Sequence, residues 1–211
     1  MTDYIKTENS QEGIDILEQM MFPTPLYRIE NLPNVNRDAI EEVCYTRRQF
    51  DQGRVVSNRN GWQSSDLVEA EYKHLPITSL WDACIDVSTI IGEKAGLASK
   101  YQHSVGTSWI YVNSKADHYN QYHCHPGTYL ACVYYVNCSE GSGDIVFCDP
   151  RAGHAANVLH HDKLTSVNAV EVNVQPKQGE LILFPGWLYH FVTQNTDDED
   201  RITIATNIVL R

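Results

Sequence analysis

The chain has no excess of positive charge: 16 Lys and Arg face 27 Asp and Glu, a formal net charge of −11. A surface of that sign repels phosphates, so neither a nonspecific nucleic-acid surface nor an anionic membrane surface is expected. Long apolar runs are also missing. None approaches the roughly 18 residues of a membrane span, and residues 1–11 carry no apolar core of signal-peptide type. No internal repeat is evident. The six cysteines (Cys44, Cys84, Cys124, Cys132, Cys138 and Cys148) contain no Cys-x-x-Cys pair. That argues against a zinc ribbon or finger, and with no leader they read as reduced thiols of a cytoplasmic protein. What remains is a globular composition, 42% hydrophobic and 20% charged over 211 residues. A chain of that size can bury roughly 70% of its unfolded surface in one domain. The expected partner is a substrate, small molecule or protein, with no nucleic acid and no membrane; a homo-oligomer is compatible with the composition.

Read in order, residues 1–20 form a lead segment, with Ile14, Leu17, Met20 and Met21 as candidate anchors. Residues 21–211 form a single domain, with helices within about 37–98 and a strand core over about 106–211. Pro23 and Pro25 restrict the stretch Leu26 to Ile29 to an edge strand. Asn36 is placed to cap a helix from Arg37 to about Phe50, with Ile40, Val43 and Cys44 as its apolar stripe. Asp51 to Asp66, rich in Gly, Asn, Ser and Arg, reads as a loop around Trp62. Leu80, Trp81, Cys84, Val87, Ile91 and Ala95 recur at three- and four-residue steps, predicting a helix over about Ser79 to Ala95, stopped by Gly96.

After residue 106 the apolar period becomes two. Trp109–Asn113, Tyr129–Val136, Asp144–Cys148, Val170–Val174, Glu180–Phe184, His190–Thr193 and Arg201–Val209 read as strands, divided by turn signals such as Pro126-Gly127 and Pro185-Gly186. Val170, Val172 and Val174 alternate with Glu171 and Asn173, so one face of that strand is expected to be wet. The connection from Arg151 to Asn168 is long and polar. Its histidines, His154, His160 and His161, read as surface residues, and the loop is expected to be mobile and to cover the site. The fold class is mainly β with N-terminal helices: about eight strands in a double-stranded β-helix, or jelly roll, with two main helices packed outside.

Two short stretches carry the chemistry. In Tyr122-His123-Cys124-His125-Pro126-Gly127, strand geometry would point His123 and His125 to one face and Cys124 to the other. His190, on a neighbouring strand, can add a third imidazole. Redox-active iron that must bind a cosubstrate and oxygen needs three protein ligands and three open positions, and two His with one carboxylate is the familiar set. This chain offers three His. On the last strand Arg201, Thr203, Ala205 and Asn207 share a face. A guanidinium there suits bidentate capture of a carboxylate, with the Thr203 hydroxyl as a second donor; the alternative is an Arg paired with Asp197 to Asp200.

His123-Cys124-His125-Pro126-Gly127, Tyr134-Tyr135-Val136, Phe147-Cys148-Asp149-Pro150-Arg151, the run from Gly179 to His190 and the run from Arg201 to Asn207 together resemble the 2-oxoglutarate/Fe(II)-dependent oxygenases of bacteria and phages. Phe22-Pro23-Thr24-Pro25-Leu26 and Gly61-Trp62-Gln63-Ser64 extend the resemblance back to about residue 21. It implies a double-stranded β-helix and an Fe(II) site with 2-oxoglutarate as cosubstrate. It also implies oxidative decarboxylation to succinate and CO₂, with hydroxylation of a substrate. His123 and His190 match the family's histidine ligands, Arg201 the residue that holds the far carboxylate of 2-oxoglutarate, and Thr203 its hydroxyl partner. His125 departs, because the superfamily at large has Asp or Glu there. Either His125 is itself the third ligand, or a carboxylate from Asp117, Asp144 or Asp149 completes the set, Asp149 being the best placed. Three imidazoles also fit a zinc hydrolase or lyase, and a jelly-roll binding module with a vestigial metal site is the non-catalytic alternative. A cupin-like dioxygenase is disfavoured by the absence of the cupin glutamate after His125.

Overall fold

The switch from helical to two-residue period divides the molecule into a helical layer and two facing sheets. The computed structural model describes residues 5–7, 16–18, 20–72, 75–151, 153 and 159–211. In chain order the elements are β1 Ile5–Thr7, β2 Ile16–Glu18, β3 Tyr27–Ile29, α1 Arg37–Phe50, β4 Asn58–Arg59, β5 Trp62–Gln63, α2 Glu69–Tyr72 and α3 Pro76–Lys94. Then follow β6 His103–Asn113, β7 Tyr119–His123, β8 Leu130–Asn137, β9 Ile145–Cys148, β10 Glu171–Val174, β11 Leu181–Pro185, β12 His190–Val192 and β13 Arg201–Leu210.

One sheet runs β3-β11-β8-β13-β6-β5 and the other β10-β9-β12-β7-β4, while β1 and β2 pair with each other. All pairings between named strands are antiparallel. Strands β6 to β13 supply four neighbours to each large sheet, which is the expected double-stranded β-helix.

The alternation along β8 and β13 explains the layering. Cys132, Tyr134 and Val136, with Ile202, Ile204 and Ile208, face the helices and join Ile40, Cys44, Leu80, Trp81 and Cys84 in one core cluster. Ala131 and Tyr135, with Ile182 and Phe184 of β11, face the other sheet and pack with Ile145 and Phe147. Strand β13 is therefore buried on both faces, which lets it carry a polar row inward without exposing it. The helices dock as their stripes require. Ala39 N–H donates to Asn36 Oδ1 at 3.1 Å, so α1 begins at its cap. Helix α3 begins three residues before the predicted start, with Pro76 in its first turn, where its missing N–H costs nothing. Gly96, at φ +76°, follows its end.

Four expectations need correction or restriction. The stretch Asp51 to Asp66 is not all loop: β4 and β5 lie in it as two-residue edge strands, too short to show a period. The expected wet face of β10 is present, Glu171 and Asn173 being exposed, but the valine side is not dry throughout. Val170 and Val172 are 47% and 48% exposed, because β10 is the edge of its sheet and both residues line an open groove with the 20–26 segment. Met20 and Met21 are largely exposed rather than buried anchors, and Ile14 and the side chain of Leu17 lie outside the described residues. His154 and residues 155–158 of the connection also lie outside them. His160 and His161 are exposed, and Arg151 and Ser166 line that same groove, not the cavity holding the three histidines. Among the described residues no helix is long and apolar enough to cross a membrane.

Candidate active site

His123 ends β7 and His190 begins β12, and the two are cross-strand partners. Between them the register slips. Val192 pairs with Asn120, so three steps along β7 match two along β12. A bulge of this kind re-aims side chains. Here it turns both Asn120 and His123 toward the cavity, where strict alternation would have separated them. The bulged carbonyl of Gln121 has a second use: it accepts a hydrogen bond from His123 Nδ1 at 2.6 Å. The Leu188 carbonyl does the same for His190 Nδ1 at 2.9 Å. A carbonyl can only accept, so in both rings Nδ1 carries the proton and Nε2 presents its lone pair.

His125 is not on the strand. β7 stops at His123, and His125 sits in the turn beyond, so a shared strand face does not explain its position. The backbone explains it instead. His125 N–H donates to the Gly186 carbonyl at 2.8 Å, and the His125 carbonyl accepts from Thr128 N–H at 3.2 Å. These bonds dock the Pro126-Gly127 turn on the Pro185-Gly186 turn. The approach is close enough that a Cβ on Gly186 would lie 2.3 Å from the Thr128 carbonyl oxygen. Trp109 then stacks on the His125 ring, with centroids 5.9 Å apart and planes 13° apart. Gly186→Ala is expected to push the two turns apart, costing about 1–3 kcal/mol of stability and lowering metal affinity with it. Thermal unfolding together with a metal titration checks this; unchanged metal affinity would show that the turn docking does not position His125.

The three ligand nitrogens lie within 4.8 Å of one another, and the Nε2 atoms of His125 and His190 are 3.4 Å apart. His190 is 3% and His125 9% exposed. Burial disfavours the charged ring, so His125 is pushed down to about 4, the neighbouring His123 adding to the effect. Burial likewise takes His190 well below the usual imidazole value and lowers His123, the latter against the opposing pull of the Gln121 carbonyl. Three neutral imidazoles with converging lone pairs suit a divalent metal such as iron or zinc.

Above pH 6.5 these rings are neutral in both folded and unfolded chains. Below it the unfolded chain takes up protons that the folded one refuses, so stability rises with pH across the window from about 4 to 6.5. The metal-free protein is expected to lose thermal stability as pH falls through that window. A melting temperature that is flat from pH 7 to 4.5 would contradict the burial of neutral rings.

The same cavity contains Arg201 and Thr203 of β13, Tyr135 of β8, Tyr111 of β6 and Asn120 of β7. Arg201 is 2% exposed, and its Nε has no hydrogen-bond partner. Its guanidinium carbon lies 5.3 Å from the centre of the Tyr135 ring, whose own hydroxyl also lacks a partner. Among the described residues no carboxylate pairs with Arg201. The acids just before it are engaged elsewhere: Asp197 accepts from Ser139 Oγ at 2.8 Å and Asp200 from Tyr45 Oη at 2.8 Å. The alternative of a loop-end ion pair therefore does not describe this arginine. A buried cation without an anion is expensive, and a guanidinium is geometrically suited to a carboxylate.

Asp149, the best-placed rival ligand, is ion-paired with Arg151 at 2.7 Å. Asp117 accepts from Asn60 Nδ2 at 2.9 Å. Neither these nor Asp144 joins a group of metal-ligating residues among the described residues; the His123, His125 and His190 group does. Tyr111 and Asn120 went unread as site residues. Ser57 Oγ meets the Tyr111 hydroxyl at 2.9 Å and accepts from Asn120 Nδ2 at 3.3 Å. Alternation along β6 could have flagged Tyr111. The bulge that turns Asn120 inward left no mark in the sequence.

Residues 107–207 match the family model described as "Putative 2OG-Fe(II) oxygenase". No curated protein matches the sequence. Among solved structures, the Pseudomonas putida prolyl-4-hydroxylase has a TM-score of 0.64 at 12% identity, covering 89% of this chain and 94% of that one. HygX from Streptomyces hygroscopicus, solved with nickel and 2-oxoglutarate bound, scores 0.57 at 12% identity, covering 88% and 83%. A prolyl hydroxylase from Trichoplax adhaerens, in complex with a hypoxia inducible factor peptide fragment, scores 0.59 at 15% identity, covering 87% and 83%. At these identities the likeness concerns the fold. Residues 107–207, the strand core that carries the histidines and Arg201, are thus the part of this chain that is similar to the 2OG-Fe(II) oxygenase family.

Proposed function

We propose that the chain is an Fe(II)- and 2-oxoglutarate-dependent dioxygenase that hydroxylates a substrate and releases succinate and CO₂. The observation that carries this reading is Arg201, a buried guanidinium with no carboxylate partner among the described residues, in one cavity with three neutral imidazoles. A zinc hydrolase or a structural module has no need of that cation. HygX, of the same fold, binds nickel or iron and 2-oxoglutarate, which supports the same pairing here.

His123, His125 and His190 would hold the metal, which supplies oxygen activation when bound. The Gln121 and Leu188 carbonyls fix two of the ring tautomers, so the lone pairs need no reorganisation on binding. Arg201 would receive the far carboxylate of 2-oxoglutarate through its two-pronged donor edge. The Thr203 hydroxyl and the unpartnered Tyr135 hydroxyl stand ready as further donors. The apolar wall of Val133, Ile145 and Val192 keeps water scarce, which strengthens the ion pair. Six free thiols fit a reducing cytoplasmic setting.

The test is turnover of 2-oxoglutarate by protein purified without oxygen and reconstituted with Fe(II). Succinate and CO₂ in equal amounts upon admission of O₂ is the expected result, slow without a prime substrate and with ascorbate supplied as the two-electron reductant that takes the second oxygen atom to water. Absence of both products from protein shown to hold iron and 2-oxoglutarate would overturn the assignment.

A further inference from the structure

A neutral imidazole that offers its Nε2 lone pair must carry its proton on Nδ1. Backbone carbonyls hold that proton in His123 and His190. His125 has no such carbonyl among the described residues. Its Nε2 faces His190 Nε2 at 3.4 Å, so its Nδ1 lies on the other side of the ring. The end of β13 reaches that side. Arg201, Thr203 and Ala205 line the cavity, and Asn207 is the next residue on their face. Ala205 is paired with Trp109, the residue stacked on His125, and Asn207 is paired with Thr107. The register slips just beyond Asn207, opposite Gly106, so the inward row ends there.

The Asn207 amide is anchored at one end only. Its Nδ2 donates to Thr107 Oγ1 at 3.0 Å. Its Oδ1 is buried and makes no full hydrogen bond. A buried acceptor left in that state costs free energy. Asn207 is also the one side chain that favours a proton on the His125 ring, against burial and the neighbouring His123. The contact is loose, and bonds of this kind tighten as a site fills.

We propose that Asn207 is the positioning residue of His125: its Oδ1 accepts the Nδ1 proton and so aims the Nε2 lone pair at the metal. The third ring is then held as the other two are, by a side-chain amide where they use carbonyls. Thr107 sets which end of the amide faces the ring. Asn207 itself touches neither metal nor cosubstrate. The inference rests on the reading of the three histidines as a metal site, and not on the identity of the cosubstrate.

The experiment combines nitrogen-15 NMR of histidine-labelled, metal-free protein at neutral pH with nickel titration. The His125 signals are assigned by their loss in His125→Ala. The parent is expected to show the His125 proton on Nδ1. In Asn207→Leu that preference is expected to vanish, and nickel to bind about 10- to 100-fold more weakly, the usual effect of losing a ligand's outer partner. Asn207→Asp keeps the acceptor, and is expected to restore both the Nδ1 proton and nickel affinity. Asn207→Ala replaces the leucine variant if that one does not fold. A parent spectrum with the proton on Nε2 would overturn the proposal. So would an Asn207→Leu variant with the parent's tautomer and nickel affinity. Equal loss of nickel in the leucine and aspartate variants, with the Nδ1 proton kept in both, would show a packing role and overturn it as well. A parent that binds nickel but no 2-oxoglutarate would count against the proposed function and leave this inference standing.

Discussion

Arg201→Met is expected to make the ligand-free protein more stable and nearly unable to bind 2-oxoglutarate. Methionine keeps most of the arginine's length and packing while removing a charge that has no anion to meet it. Replacing buried charge by a well-packed apolar side chain is stabilising by about 1–4 kcal/mol in favourable cases. Binding moves the other way. Losing one partner of a buried, hydrogen-bonded charge pair costs about 2–5 kcal/mol, and here it would also leave a ligand carboxylate facing an apolar wall. The opposite signs are what distinguish a binding residue from a structural one. If Arg201 only held the fold, the variant would melt earlier and bind 2-oxoglutarate as the parent does. Unfolding curves with and without 2-oxoglutarate, on nickel-loaded protein, read both signs in one experiment.

His125→Ala is expected to strip the metal, and Asp149→Ala to leave it in place. The reason is geometric: the candidate ligand atoms of His125 and its two partners lie within 4.8 Å of one another, whereas Asp149, ion-paired with Arg151, joins no such group among the described residues. Loss of one of three ligands should lower affinity by far more than the 10- to 100-fold typical of an outer-shell partner, by analogy about a thousandfold. With three neutral imidazoles the affinity order favours Cu²⁺ and Zn²⁺ over Fe²⁺ under open competition. Protein purified in air is therefore expected to carry zinc, and to gain activity only after chelation and anaerobic loading with iron. Metal analysis of the parent and both variants checks this. Metal lost from the aspartate variant and kept in the histidine variant would reverse the ligand assignment.

The parts that were legible in the sequence are those fixed by repetition. The stripe of Ile40 and Cys44, the longer stripe from Leu80 to Ile91, and the longer strands among β6 to β13, such as β6, β8 and β13, extend over enough positions to show a period. The inward row of β13 was legible for the same reason. Arg201, Thr203 and Ala205 alternate with Ile202 and Ile204, and the two sets line the cavity and the helix-facing core respectively. What escaped depends on single events. A bulge opposite His190 turns Asn120 inward, and a turn docked through Gly186, not a strand face, delivers His125. Val172 of β10 and Val170 just before it misled because edge position is a property of the sheet, invisible in four residues. Tyr135 stood in a stretch recognised for its resemblance, yet its place under the guanidinium required the register of β8 against β13.

The most direct test of a shared metal and cosubstrate cavity is equilibrium binding of 2-oxoglutarate to four preparations: the parent and Arg201→Met, each metal-free and nickel-loaded. The parent with nickel is expected to bind one equivalent, and removing either the metal or the guanidinium to weaken binding by at least about thirtyfold, the lower end of the effect of unpairing a buried charge. Removing both should leave no measurable binding. Binding to the parent that is equally tight with and without metal, and unchanged in the Arg201→Met variant, would contradict the account.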